Sequence, residues 1–226
     1  MKFTLTPDLI AHLPGTIVSF ALVRNIRVSG PDSTTDKILN EVYPEIKRKY
    51  NLETLLQDKN SQAYLGLCKQ SNVSPDSAFL PHLQIKRVLK DKKIGNINNI
   101  VNHYMTIELL NNISVSAYDF DTLRDNVEVS ITSQDQEMTV IGGERVSVPK
   151  GDLVITDTNG TLYSFSQGYR DKSKVTSQIK NALFVIDAPA GIGLETVESS
   201  TSQLCNGYSD KNTLILTAQS PEGFIN

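Results

Sequence analysis

Two aspartates that follow well-defined sequence motifs are the first candidates for binding or catalysis. Asp187 comes after the apolar run Asn-Ala-Leu-Phe-Val-Ile of residues 181–186, where a carboxylate can hold an amino group or orient a water molecule. The sequence Asp-Ala-Pro-Ala-Gly that it begins is also typical of an ordinary turn, which is the favoured interpretation. Asp119 follows Tyr118 and can either cap a helix or contact a ligand amine, two interpretations of equal weight.

One histidine and one arginine add to this set. His103 follows Asn102 on a predicted helix, where a lone histidine is more often a surface or capping residue than a catalytic base. Arg170 offers a planar guanidinium that suits a phosphate or a carboxylate. Lys172 and Lys174 extend the positive charge, although solvation is the favoured interpretation of both lysines.

Several common kinds of catalytic site are missing from the sequence. It contains no Ser-His-Asp order, nucleophile elbow, Walker loop or dinucleotide-binding fingerprint. Its two cysteines, Cys68 and Cys205, lie far apart without a Cys-x-x-Cys motif or clustered histidines. We therefore expect buried thiols in a reducing compartment, with no disulfide, no metal site and no cofactor.

A cluster of basic residues precedes residue 95. The favoured interpretation is a solvated face near the C-terminal end of a helix, where the helix dipole favours positive charge. The alternative is a patch that contacts RNA phosphates. The residues concerned are Lys86, Arg87, Lys90, Lys92 and Lys93.

Charge and hydropathy exclude other classes of protein. The chain of 226 residues has 22 Lys plus Arg against 25 Asp plus Glu, a net charge of −3, so any RNA contact must come from a local patch. The N-terminal residues lack the apolar run of a signal peptide, and the longest apolar segment, 17–23, is too short to span a bilayer. We expect a soluble, cytoplasmic protein without membrane contacts.

Helix signals dominate the first half of the sequence and strand signals the second. Ser33 is predicted to cap a helix that Pro44 kinks or splits, and one helix is predicted to begin near Pro75 and reach Asp91 despite Pro81. A further helix is predicted over 98–110 and another over 194–204. Strands are predicted at 3–5, 16–28, 127–132, 138–141, 153–157, 161–166, 181–186 and 213–218. This pattern predicts an α+β fold with mostly antiparallel sheets and helices packed against them.

Several ordered segments resemble the B3/B4 domain of the phenylalanyl-tRNA synthetase beta subunit, and more closely the stand-alone B3/B4 proteins. They include Ile-Val-Asn at 100–102, Ser-Ala-Tyr-Asp-Phe-Asp at 116–121 and Gly-Asp-Leu-Val-Ile-Thr-Asp at 151–157. Gly-Gly-Glu at 142–144 and Asn-Ala-Leu-Phe at 181–184 fall in the same order. The resemblance covers roughly residues 75–205 and implies one domain over 1–226, with residues 1–74 packed as part of the same unit.

In the synthetase this domain is an editing module that accepts the 3′ end of mischarged tRNA and hydrolyses its ester. The resemblance therefore implies binding of the aminoacylated end of tRNA, with trans-editing as the corresponding reaction. It brings Asn102, His103, Tyr104, Ser116, Asp119, Ser166, Arg170 and Asp187 together as candidate pocket residues.

The family's editing positions are altered in this sequence. The family's histidine falls on Ser116, its glutamate on Val185, its Thr-Asn pair on residues 104–105 and a glycine pair on residues 165–166. These changes favour an alternative, a non-catalytic module that binds a free amino acid or a related metabolite. A scaffold protein without a small ligand is a third hypothesis.

Overall fold

The computed structural model describes residues 1–225, apart from the side chain of Ser77. The α-helices are α1 (Pro7–His12), α2 (Ser33–Asn40), α3 (Tyr43–Lys49), α4 (Leu52–Gln57), α5 (Lys59–Gln70), α6 (Pro75–Ala78), α7 (Leu80–Leu89), α8 (Asn99–Asn111) and α9 (Leu194–Leu204). The strands are β1 (Lys2–Leu5), β2 (Ile17–Val23), β3 (Val115–Asp119), β4 (Asn126–Ile131), β5 (Gln136–Thr139), β6 (Arg145–Val148), β7 (Leu153–Asp157), β8 (Gly160–Ser164), β9 (Gly168–Tyr169), β10 (Ala182–Ala188), β11 (Lys211–Leu216) and β12 (Glu222–Phe224). Short 3-10 helices span Phe120–Thr122 and Asp171–Ser173.

The strands form two main sheets and a hairpin. One sheet has the order β12-β1-β4-β7-β8-β9 and the other the order β11-β2-β10-β3, while β5 pairs with β6. Among the pairs in the described residues, β1 and β4 are parallel and the others are antiparallel. The predicted α+β class with mostly antiparallel sheets is therefore confirmed.

Helix α8 belongs to two apolar clusters at once. Its Ile100 and Ile107 join the large cluster that includes both main sheets. Its Val101, Met105 and Leu109 join a second cluster formed with residues of α2, α3 and α7. Because apolar residues surround α8, it has no single apolar face, and it is held firmly between the sheet and the other helices.

Helix α2 begins one residue earlier than the sequence indicated. Asp32, rather than Ser33, is the N-cap: its side chain accepts a hydrogen bond from Thr35 N at 2.8 Å, and the Thr35 hydroxyl accepts one from Asp32 N. The prediction of a Ser33 cap is wrong because an Asp–Thr capping box competes successfully with the serine.

Prolines divide the helical half of the chain. Pro44 lies in the first turn of α3 and separates that helix from α2, as the sequence predicted. The prediction of one helix from Pro75 to Asp91 is wrong, since α6 ends at Ala78 and Pro81 lies in the first turn of α7. A proline cannot donate to the preceding turn, so it starts a new helix more readily than it continues one.

No helix in residues 1–225 has both the length and the apolar composition needed to cross a bilayer.

Candidate functional site

A cavity of about 310 Å³ opens at the free edge of β3. Helix α8, strand β3 and the segment 169–175 form its walls. Most of the surface is apolar, and the polar side chains are few. The lining residues are Ile97, Val101, Tyr104, Ser116, Ala117, Tyr118, Ile141, Tyr169, Arg170, Ser173, Lys174 and Val175.

The two periodicities of helix and strand set this lining. Val101 and Tyr104 are three residues apart on α8 and therefore lie on the same side of the helix. Ser116 and Tyr118 lie on one face of β3, and Ala117 lies on the other. The Tyr104 ring packs edge-on against Phe184 of β10, with 6.4 Å between ring centroids, which anchors α8 to the sheet.

Two lining residues carry buried polar atoms that have no hydrogen-bond partner among the described residues. They are the hydroxyl of Tyr118 and Nε of Arg170. Ser116 and Arg170 favour the ionised form of Tyr118, but burial outweighs both and raises the pKa of its phenol. Since a buried polar group without a partner is costly, these two atoms indicate that a ligand or an ordered water completes the site.

Arg170 is fixed in the wall by Asp157. Its two terminal nitrogens contact the two carboxylate oxygens at 3.1 and 3.3 Å. The Asp157 side chain is fully buried and also accepts hydrogen bonds from the backbone N–H groups of Arg124 and Asn159. Such a two-pronged ion pair holds the guanidinium in one orientation.

A second, more polar cavity of about 740 Å³ lies beside the first and shares Arg170 with it. Arg124 and Lys172 line it together with Asp121, Glu137 and Asp171. Arg170 therefore stands between an apolar hollow and a hollow of mixed charge.

Neighbouring tyrosines give the apolar cavity an aromatic side. Tyr169 lies 6.4 Å from Tyr118 and 4.9 Å from Tyr163 between ring centroids. Burial raises the pKa of all three phenols, so each keeps its proton at neutral pH. Of the three, Tyr118 and Tyr169 belong to the cavity lining.

The structure brings three of the predicted pocket residues to this cavity: Tyr104, Ser116 and Arg170. Five others lie outside its lining: Asn102, His103, Asp119, Ser166 and Asp187.

Asp187 is part of β10, paired with Val18 of β2, so its interpretation as a turn residue is wrong. Its carboxyl group is buried, and burial raises its pKa to about 7 although the Ser114 hydroxyl and a backbone N–H favour the charge. Glu108 of α8 is buried as well: its carboxylate accepts a hydrogen bond from Val115 N at 2.9 Å, and burial raises its pKa. Neither carboxyl group belongs to the cavity lining.

His103 is partly buried, and its side chain caps the C-terminal end of a neighbouring helix rather than its own. It lies against Phe184 and Tyr208, and its Nε2 donates to the Leu204 carbonyl at 3.1 Å, which joins α8 to α9. Burial lowers its pKa and keeps the ring neutral.

The remaining predicted pocket residues have structural contacts. The capping interpretation of Asp119 is confirmed, since its carboxylate accepts a hydrogen bond from Asp121 N at the start of a 3-10 helix. Asn102 is fully buried and joins α8 to α2 through the Thr35 carbonyl. Ser166 donates to Asp152 at 2.8 Å.

The predicted RNA-contact residues lie around the end of α7, away from the cavity lining. Acidic groups accompany several of them: Lys86 is 3.7 Å from Asp76, and Lys93 is 4.0 Å from Asp36. Arg87 donates to the Lys93 carbonyl at 3.0 Å. Lys90 and Lys92 are exposed.

Sequence reasoning missed most of the apolar lining and the ion-pair partner of Arg170. Tyr118 and Tyr169 each precede a candidate residue, and an aromatic residue beside a charged one was the signal available for both. Asp157 ends a matched motif, but nothing in the sequence connects it with Arg170. Among the described residues no three His, Cys, Asp or Glu side chains cluster as metal ligands.

Fold and site together define an α+β protein with a candidate ligand cavity between a helix and the edge of a sheet. More particularly, residues 76–201 match the family model of the B3/4 domain. The match covers more than half of the chain, which therefore belongs to the B3/4 domain family, and the family indicated by the sequence motifs is confirmed.

One solved structure similar to this chain is an N-terminal fragment of the phenylalanyl-tRNA synthetase beta-subunit from Pyrococcus horikoshii. The two share 10% sequence identity with a TM-score of 0.46, over 94% of this chain and 49% of that fragment. This chain thus spans about half the length of that fragment. No curated protein matches it in sequence.

Proposed function

We propose that this B3/4 family protein binds an amino-acid-like small molecule in the apolar cavity, as a binding module without catalysis. The observation that carries the proposal is the pair of unpartnered buried groups, Tyr118 Oη and Arg170 Nε, in a mostly apolar lining. Ligand sites commonly combine apolar walls with a few polar groups in this way. At about 310 Å³ the cavity is at the small end of such sites and suits a single amino acid.

Binding is favoured over hydrolysis because the lining lacks a base. Within the described residues, no carboxylate and no histidine lines the cavity. Hydrolysis of an ester needs a group that activates water, and the serine and tyrosines present here stay protonated at neutral pH.

A thermal-shift screen of the 20 standard L-amino acids tests the proposal. A ligand present at a hundred times its Kd stabilises the folded state by about 2.7 kcal/mol, which raises the Tm by about 5–10 °C for a chain of this size. If no amino acid raises the Tm even at millimolar concentration, the proposal is wrong.

Tyr118→Phe separates a binding role from a structural one. The hydroxyl makes no hydrogen bond of good geometry, although the Ser116 side chain lies near enough to affect its pKa. Its removal should therefore change the stability of the free protein little, whereas ligand affinity falls about fivefold through loss of one hydrogen bond. Tyr208→Phe is the matched control, because Tyr208 lies beside His103 outside the cavity lining. Equal affinities of the two variants would place the ligand elsewhere.

A second candidate function is binding of the aminoacylated 3′ end of tRNA, with trans-editing as its reaction. The adjoining polar cavity favours it, because a nucleotide could lie there with its phosphate near Arg124 and Lys172 while the aminoacyl group enters the apolar cavity. Deacylation assays on a panel of mischarged tRNAs, with binding measured at two salt concentrations, test it. Turnover, or an affinity that falls steeply with salt concentration, supports this function. The absence of both turnover and salt-dependent binding would exclude it.

A further inference from the structure

The free edge of β3 presents residues whose backbone N–H and C=O groups both point away from the sheet. Phe120 N donates to Asn181 O at 3.0 Å, which places the even-numbered residues of this strand in hydrogen-bonded pairs with β10. Backbone groups alternate along an antiparallel strand, so Val115, Ala117 and Asp119 turn theirs outward. Val115 N agrees with this, since it donates to the carboxylate of Glu108 outside the sheet.

Of these outward residues, Ala117 lines the cavity. The N–H of Val115 already donates to the Glu108 carboxylate, and the strand ends at Asp119, where a 3-10 helix begins. Ala117 thus offers a donor and an acceptor side by side at the cavity wall, spaced as they are for a residue of a neighbouring strand. The α-amino and carboxyl groups of a single amino acid have the complementary spacing.

We propose that the cavity recognises a free L-α-amino acid through its main chain, which pairs with Ala117 as one residue of an added strand. This inference rests on the proposed function and specifies its ligand. The Ala117 N–H donates to a carboxylate oxygen of the ligand, and the Ala117 carbonyl accepts from its ammonium group. The binding is a one-residue form of strand addition at a sheet edge.

The position of the ligand side chain follows from the register. Ala117 is paired with Phe184, so their side chains share a face of the sheet, and Phe184 contacts Tyr104 of α8. Residues opposite each other in an antiparallel pair also share a face. An L-amino acid opposite Ala117 therefore directs its side chain to Val101 and Tyr104, whereas its D-enantiomer with the same main-chain bonds does not.

Charge favours a free amino acid over an ester. Two cationic side chains, Arg170 and Lys174, belong to the lining, and within the described residues no carboxylate does. Each already has an acidic partner, Asp157 for Arg170 and Asp171 for Lys174. A free carboxylate on the ligand can accept a hydrogen bond from Nε of Arg170, which the ion pair with Asp157 leaves unbonded, while an ester carbonyl is an uncharged and weaker acceptor.

The experiment compares, for the L-amino acid that binds best in the 20-member screen, its D-enantiomer, methyl ester and N-acetyl derivative. We expect each of the three to bind at least tenfold more weakly. In ¹⁵N-labelled wild-type protein, the Ala117 amide should also shift and exchange more slowly with solvent when the L-amino acid is bound. Equal binding of both enantiomers, or an Ala117 amide that the ligand leaves unchanged, would overturn the inference.

Ala117→Pro removes the proposed donor. A proline at an outward position of an edge strand breaks no ladder hydrogen bond, so the variant should fold with the circular dichroism spectrum of the wild type. We expect a loss of affinity of tenfold or more, while Ala117→Ser, which keeps the backbone groups, binds like the wild type. If Tyr118→Phe weakens binding but Ala117→Pro does not, the proposed function stands and the main-chain pairing is wrong. If no amino acid binds, both the proposed function and the main-chain pairing are wrong.

Discussion

Asp187 makes the stability of the protein depend on pH. Burial raises the pKa of its carboxyl group from 3.8 to about 7, so the folded state binds this proton more tightly than the unfolded state. The stability that results is fully present below pH 3.8 and is lost as the pH rises through about 7. Its size is at most on the order of 4 kcal/mol.

Asp187→Asn should flatten this part of the pH dependence. Urea unfolding at several pH values between 4 and 8 measures this dependence, as the decline of the free energy of unfolding with rising pH. Glu108→Gln should flatten the curve as well, because burial raises the pKa of Glu108 too. A slope in Asp187→Asn equal to that of the wild type would show that the buried carboxyl group is not responsible.

The Asp157–Arg170 ion pair predicts a large mutational cost. Asp157→Ala leaves the guanidinium of Arg170 in the wall without its partner, which should destabilise the protein by about 3–5 kcal/mol in urea unfolding. Glu41→Ala, which breaks an exposed pair with Lys37, is the control and should cost less than about 1 kcal/mol. The double variant Asp157→Leu/Arg170→Met should be less destabilised than Asp157→Ala. Similar costs for Asp157→Ala and Glu41→Ala would contradict this account.

For individual residues, the sequence predicted some of the side chains that line the cavity, and it predicted the environment of each side chain less well. Tyr104, Ser116 and Arg170 were identified through matched motifs, and all three line the cavity. The environment of Asp187 could not be predicted, because whether a carboxylate at the end of an apolar run lies in a turn or in the strand depends on how far the neighbouring strands extend. Here β2 pairs with it as far as Ala188.

The placement of α8 depends on the side-chain amide of Asn102. Its Nδ2 donates to the Thr35 carbonyl at 2.9 Å and to Asn96 Oδ1 at 2.7 Å, and its Oδ1 accepts from Ile97 N at 3.1 Å. It therefore ties α8 to α2 and holds Ile97 at the cavity, which makes Asn102 a positioning residue.

Asn102→Leu should destabilise the protein by about 2–4 kcal/mol, because it removes the three hydrogen bonds of a fully buried amide. It should also weaken ligand binding severalfold, since Ile97 loses its anchor. Asn40→Ala, at a partly exposed position on α2, should change stability by less than about 0.5 kcal/mol. Unfolding in urea and ligand titration measure the two effects; a stable Asn102→Leu variant with normal affinity would disprove the positioning role.

Helices and long strands were predictable because their patterns are local. The predicted helix at 98–110 and the strand at 181–186 agree with α8 and β10 within two residues. The short strands β6, β9 and β12 were not predicted, since four residues or fewer carry little periodicity and depend on partners distant in the sequence.

The two cysteines report on the molecule as a whole. Cys68 and Cys205 both belong to the large apolar cluster and form no disulfide, and burial raises the pKa of both thiols, that of Cys68 to about 11. We expect native protein to react slowly with Ellman's reagent and unfolded protein to react at once.

The single variants Cys68→Ala and Cys205→Ala separate the two thiols. If the large cluster unfolds as one unit, both remaining thiols should become reactive at the same urea concentration. One thiol reacting well below the other would reveal a region that opens independently.

The position of β2 has a consequence for synthesis of the chain. β2 lies between β10 and β11, so Val23 meets Ala182 and Lys211, which leave the ribosome long after it does. Until they emerge, the apolar segment Ile17–Val23 has no native partner on either side. Pairing between such distant segments slows folding and exposes aggregation-prone surface, so the nascent protein should be a chaperone client until its last quarter is made.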